Sequence, residues 1–188
     1  MEGFEAGGRV WPIVQIGEPV LGRPCLPVME FDGQLEKLIR DMFASMYAAD
    51  GVGLAANQIG CSLRVFVYDC PNASDQRQIG VVVNPELVLP SADKRVFDES
   101  DEGCLSVLGK FHPLARSNQA WVHGYDANGE PITVHGTGLL ARCFQHECDH
   151  LDGLLYVDRL NARHRRALLA EGMAQSLEVL PGDECRYE

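Results

Sequence analysis

Two histidines four residues apart, His146 and His150, with Glu147 directly after the first, form an H-E-x-x-H pattern within Gln145-His146-Glu147-Cys148-Asp149-His150. On a helix, residues i and i+4 lie about 40° apart around the axis, so both imidazoles can bind one metal ion from the same face. Glu147 falls about 100° from His146 and about 60° from His150, at the edge of that face. A carboxylate there can reach a metal-bound water without being a ligand. The chemistry implied is metal-assisted hydrolysis with a carboxylate base. Two histidines do not complete a catalytic site, which usually has three protein ligands and one open position. Downstream, His164 lies in a basic run without H-x-x-G-x-x-H spacing, and nothing around Asp158 singles it out. Upstream, Cys104 sits in the glycine-containing segment Glu102-Gly103-Cys104-Leu105-Ser106. A thiolate on a neighbouring strand can be the third ligand. By itself a cysteine is more often a small buried apolar residue, or else a nucleophile paired with a histidine.

These groups need elements to hold them. Gly138 to Leu151 reads as the helix carrying the histidines, stopped by Asp152-Gly153. An N-terminal amphipathic helix begins after Asp32, a good cap, and ends at Asp50-Gly51. Its residues Leu35, Leu38, Ile39, Met42, Phe43, Met46 and Tyr47 follow the i, i+3, i+4 rhythm of one buried face. A C-terminal helix is predicted from Asn161 to about Leu177. Strands are predicted at Leu63 to Tyr68 and Val81 to Leu89, the second with an irregularity or edge at Asn84-Pro85. Lys94 to Phe97 is a weaker third. Gln119 to Tyr125 and Pro131 to His135 flank a hairpin signal, Asp126-Ala127-Asn128-Gly129. Residues 1–31 read as an extended entry segment, and Gly51 to Gly60 as a glycine-bounded loop. Strands surround the helices without β-α-β alternation. The expected class is α+β, with antiparallel or mixed sheets packed around the central helix that carries H-E-x-x-H. One domain over residues 1–188 is expected, about 179–188 being a tail.

The net charge of −11 argues against DNA binding, because phosphates need clustered cations. The local exception, Arg163-His164-Arg165-Arg166, reads as a solvated face of the last helix. No apolar run has the length of a membrane span. The first residues are acidic where a targeting peptide would be basic, so a cytoplasmic protein is expected. The seven cysteines are odd in number and lack C-x-x-C, which argues against a disulfide framework.

Three short motifs in order then carry a resemblance. Gly51-Val52-Gly53-Leu54-Ala55-Ala56-Asn57-Gln58, Glu102-Gly103-Cys104-Leu105-Ser106 and Gln145-His146-Glu147-Cys148-Asp149-His150 are similar to the marks of the peptide deformylases, over roughly residues 10 to 160. The resemblance implies removal of the formyl group from N-formylmethionyl peptides, with release of formate. It implies Cys104, His146 and His150 as ligands of one divalent metal ion, Fe²⁺ in the cell, with Zn²⁺, Ni²⁺ or Co²⁺ also able to occupy the site. Glu147 becomes the proton shuttle, with the Gln58 amide and the Leu105 backbone N–H as oxyanion donors. Val52, Gly53, Gly103 and His146 are implied on the substrate side. A pairing of Glu102 with Arg116 is implied as well, holding the cysteine segment in place. Because the family acts at the ribosome exit, Arg163, Arg165 and Arg166 gain a second reading as a ribosome contact.

The chain departs from the family at Leu108, where proline is common, and at Phe111, near which an arginine is often seen. Arg142 stands at a helix position that is apolar in many relatives and near the methionine pocket. These departures touch substrate contacts rather than metal chemistry. Two rival readings stay open at this point. A zinc endopeptidase would use a downstream ligand and no Cys104, and an inactive relative would bind nascent chains without needing Glu147.

Overall fold

A computed structural model describes residues 7–170. Helix α1 spans Gly33–Ala48, and the Asp32 side chain caps it by accepting from the Gln34 and Leu35 amides. Its apolar rhythm buries Leu35, Leu38, Ile39, Met42, Phe43 and Met46. Nine strands follow: β1 Gly53–Ala55, β2 Val65–Pro71, β3 Arg77–Val88, β4 Phe97–Asp98, β5 Asp101–Cys104, β6 Val107–Pro113, β7 Arg116–Ser117, β8 Gln119–Tyr125 and β9 Pro131–Thr137. Helix α2, Leu139–Leu151, carries His146, Glu147 and His150, and α3 is Ala162–Ala170. The part of the expected C-terminal helix beyond Ala170, and the expected tail, lie outside the described residues.

Five strands form one sheet in the order β1-β2-β3-β8-β9, while β4-β7 and β5-β6 are separate pairs. All these ladders are antiparallel, and an isolated bridge between Leu26 and Leu63 is parallel. Strand alternation sends neighbouring residues of β2 and β3 into two of the three core clusters among the described residues. Phe66, Tyr68 and Val82 join the cluster formed with Leu140, Ala141, Phe144 and Leu151 of α2. Val65, Val67 and Val81 join the cluster formed with Leu38, Ile39, Met42 and Met46 of α1. Phe144 meets Tyr68 edge-on at 5.2 Å between ring centroids and lies 5.9 Å from Phe66. Cys148, in the variable slot of the histidine motif, belongs to the same core.

Several expectations need correction. Gly51 to Gly60 is not simply a loop: it holds β1 and a 3₁₀ turn, Ala56–Ile59. Strand β3 is interior rather than an edge, lying between β2 and β8. Asn84 does interrupt it, with φ 50° and a register shift between Val83 and Glu86. The Asn84 side chain pairs with Val28 as a strand would, accepting from its N–H at 2.8 Å and donating to its carbonyl at 2.9 Å. The weak strand at Lys94 to Phe97 is a 3₁₀ turn, Ala92–Lys94, with pairing only from Phe97 onward. The β5-β6 hairpin carries no strand signal in the sequence, because β6 is mostly exposed and lacks a clean apolar alternation.

Phe144 fixes the seat of α2 on the sheet. Phe144→Ala is expected to cost about 3–5 kcal/mol, as large-to-small changes of buried aromatics do. Urea unfolding monitored by circular dichroism measures it, and a loss below about 1 kcal/mol would contradict this packing.

Candidate active site

Helix α2 presents both histidines toward the β5-β6 hairpin, and the hairpin supplies Cys104 at the end of β5. Potential ligand atoms of Cys104, His146 and His150 all lie within 4.8 Å of one another. The Cys104 sulfur is 3.1 Å from His150 Nε2. His146 Nδ1 pairs with Glu102 Oε1 at 2.8 Å, which turns its other nitrogen toward the cysteine. One thiolate and two imidazoles form a donor set suited to a divalent transition metal. Glu147 Oε2 adds a second sign of fit: it is buried and has no hydrogen-bond partner. Burial pushes His150 well below its usual pKa and so favours the neutral, ligating form. Burial also works against a charge on His146, but Cys104 and Glu102 outweigh it and hold a proton there. A cation would displace that proton. The downstream alternatives are engaged elsewhere: Asp158 accepts from the Leu155 amide, and the His164 ring lies 4.7 Å from that of His112.

Glu102 is the anchor of the site. Its two oxygens accept from Arg116 Nη2 at 2.7 Å and Nε at 3.0 Å, and from Arg142 Nη2 at 3.2 Å. Burial alone would raise its pKa, but hydrogen bonds from His146 and Arg116 prevail and lower it to about 2. Arg116 Nη1 also donates to Asp149 Oδ2 at 2.7 Å, tying the network back to α2. The Glu102 and Arg116 side chains are each only 7% exposed, so this is a buried ion pair and not a surface one. Arg142 does line the cavity, yet its guanidinium is used on the Asp98 and Ser100 carbonyls as well as on Glu102.

Gln58 arrives from the 3₁₀ turn after β1. Its Oε1 accepts from the Ala55 N–H at 2.9 Å, and this fixes the amide so that Nε2 points inward. Nε2 donates to Ser106 Oγ at 3.2 Å and lies 3.7 Å from Cys104 Sγ. Leu105 sits in the tight turn of the hairpin and lines the same cavity, of about 420 Å³, as do Val52, Gly53, Gly103 and Glu147. A methyl group at Gly53 would fall 2.5 Å from Glu147 Oε1, so only glycine lets β1 pass this close to the carboxylate. Burial raises the Glu147 pKa to about 7, against the pull of His146. A carboxyl held there is well matched to taking and returning a proton near neutrality.

Other contributors had no role assigned from sequence. Gln145 acts as a strand would, accepting from the Ser117 N–H and donating to the Ser117 carbonyl, which docks β7 on α2. Asn57 donates to the His150 carbonyl at 2.6 Å, joining the turn of Gln58 to the ligand helix. Arg159 grips Asp149, and Gln15 donates to the Leu105 carbonyl. Gln145 and Asn57 stood inside the three motifs, so their place in the sequence was visible and their partners were not.

The sequence profile of the family described as polypeptide deformylase matches residues 10–166. A relative from Streptomyces avermitilis, named peptide deformylase 1, is 54% identical over 168 residues, covering 89% of this chain and 78% of its own length. The fold is similar to that of a peptide deformylase from Ehrlichia chaffeensis in complex with actinonin, with a TM-score of 0.79 at 33% identity over 87% of this chain and 95% of that one. A peptide deformylase from Legionella pneumophila gives 0.75 at 41% identity over 86% and 94%. A profile match spanning most of the chain, joined to a fold shared with these structures, means that this chain belongs to the peptide deformylase family.

Proposed function

We infer that this site hydrolyses the formamide at the N-terminus of formyl-methionyl peptides, with Cys104, His146 and His150 holding a divalent cation. The observation that carries the reading is the convergence of one sulfur and two nitrogen donors within 4.8 Å, beside a buried carboxylate and an inward-facing amide. When bound, the ion supplies Lewis acidity, polarising the carbonyl and making water a stronger acid. Fe²⁺ is the ion proposed for the cell. Zn²⁺, Ni²⁺ and Co²⁺ suit the same donors, and Zn²⁺ binds such a set more tightly than Fe²⁺.

The protein groups divide the remaining work. Strand β1 is an edge of the five-stranded sheet, and Val52, Gly53 and Gly103 of β5 all line the cavity. An extended peptide laid between them can pair with backbone on both sides. Glu147 takes a proton from the attacking water as its oxygen bonds to the formyl carbon. Negative charge then gathers on the formyl oxygen, where Gln58 Nε2 and the Leu105 N–H donate to it. Glu147 returns the proton to the amine nitrogen as the C–N bond breaks, giving formate and a free methionyl N-terminus. The endopeptidase reading lacks its downstream ligand, since Asp158 and His164 are turned to other partners.

The proposal extends to setting. Among the described residues, no helix is long and apolar enough to cross a membrane. We place the enzyme in the cytoplasm, acting on nascent chains, with the exposed Arg163, Arg165 and Arg166 of α3 as a contact to the ribosome.

Cys104→Ala is expected to lose most of its bound metal by elemental analysis after anaerobic purification, and full retention would remove the cysteine from the ligand set. Glu147→Ala should keep fold and metal yet lose roughly 10²–10⁴-fold in kcat for formate release from a formyl-Met peptide. Gln58→Ala should lose about 10²–10³-fold in the same assay. Wild-type turnover in either variant would refute its role, and an indifferent Glu147→Ala would favour the inactive-relative reading. Replacing the three arginines together by alanine should weaken co-sedimentation with ribosomes in low salt, and unchanged binding returns them to a solvated face.

A further inference from the structure

The two oxyanion donors stand on separate segments. Gln58 belongs to the 3₁₀ turn after β1, and Leu105 to the two-residue turn between the paired residues Cys104 and Val107. Donors aimed at one developing charge must keep their spacing to within about 0.5 Å. Strands β1 and β5 lie in different sheets, so no shared ladder sets that spacing. Gln58 Nε2 does reach Ser106 Oγ at 3.2 Å, but this bond uses the amide that must serve the formyl oxygen.

The entry segment joins the two turns. The Val14 N–H donates to the Gln58 carbonyl at 2.9 Å, and the Ile16 N–H donates to the Ser106 carbonyl at 2.8 Å. Between them, Gln15 Nε2 donates to the Leu105 carbonyl at 3.1 Å. The same nitrogen donates to the Ile13 carbonyl at 3.1 Å, so both of its hydrogens are used. Three consecutive residues thus hold the carbonyls of Gln58, Leu105 and Ser106. Ile13 packs against the core cluster of α1 and Ile16 against that of Val107 and Tyr156, which seats the segment on both sides of Gln15. Two of the three bonds come from backbone N–H groups that any residue except proline carries. The bond to Leu105 depends on the side chain at position 15.

We propose that Gln15 is a positioning residue: by holding the Leu105 carbonyl it fixes the turn whose N–H donates to the formyl oxygen, at the distance from Gln58 that the oxyanion requires. This rests on the deformylase reading of the same site and adds a residue to its machinery. Among the described residues, Gln15 is outside the cavity lining, so it acts through Leu105 and not on the peptide. The charge it helps to meet develops only in the transition state, so its loss belongs in kcat rather than KM.

The test is kcat and KM for formate release from formyl-Met-Ala-Ser, per metal-loaded enzyme, in three variants. Gln15→Met keeps the length and loses both N–H donors, and Gln15→Glu keeps the skeleton and loses them too. Each should lose about three- to tenfold in kcat, the scale of one neutral hydrogen bond, with KM within about twofold and metal content unchanged. Gln15→Lys keeps N–H donors and should stay within about twofold of the unaltered kcat. Gln15→Glu carries the test should Gln15→Met fold poorly. Unaltered kcat in Gln15→Met and Gln15→Glu, a loss confined to KM or to metal content, or an equal loss in Gln15→Lys would overturn the role of Gln15 alone. An unaltered enzyme that releases no formate would overturn the deformylase reading and this role with it.

Discussion

The site depends on one buried carboxylate. Glu102 sits where β5 meets α2 and binds two arginines and a histidine at once. Taking its charge out of water costs several kcal/mol unless every lone pair is used. Here each oxygen accepts at least two hydrogen bonds, and the pKa near 2 reflects that satisfaction. Removing one partner from such a network typically costs about 3–5 kcal/mol, against a total domain stability of about 5–15 kcal/mol. The arrangement ties metal geometry to the integrity of the fold. His146 can face Cys104 only while Glu102 holds its far nitrogen, and Glu102 stays in place only while Arg116 bridges it to Asp149.

Much of this was legible in the residues, for identifiable reasons. Helical periodicity located α1, whose apolar face repeats over several turns and which Asp32 caps, while α2 was located by the i, i+4 spacing of its histidines and the Asp152-Gly153 stop. The hairpin β8-β9 was legible from its turn, where Asp126 accepts from the Asn128 and Glu130 amides. The third metal donor was reached from the need of two histidines for a partner, and from the order of three motifs. What stayed hidden was long-range and side-chain specific. Strands β5 and β6 are short, and β6 is largely exposed, so no apolar alternation announced them. Asn84 and Gln145 complete ladders with their amides, and nothing in local sequence distinguishes such an amide from a solvated one.

The variable positions of H-E-x-x-H are committed too, each to a different owner. Cys148 turns into the core below the sheet, while Asp149 turns to Arg116 and Arg159. Four consecutive helical residues, His146 to Asp149, therefore face the candidate metal site, the cavity, the core and the two arginines Arg116 and Arg159 in turn. A helix makes this division natural, since each residue points about 100° from the last. The same geometry explains why Gly53 is bare: β1 must approach within contact of Glu147 from the one side left open.

The three candidate metal donors come from two elements distant in sequence, Cys104 from a hairpin and the histidines from α2. The donor set therefore does not exist until the chain has closed a long loop and α2 has docked. A cation that binds only the folded form adds its binding energy to folding by mass action. A cation held by these donors would also pin the hairpin to the helix, next to the turn of Leu105. Losing the ion would release that pin and raise the freedom of the donor segment it fixes, so metal depletion should be felt as a mechanical loosening of the hairpin as well as a chemical loss.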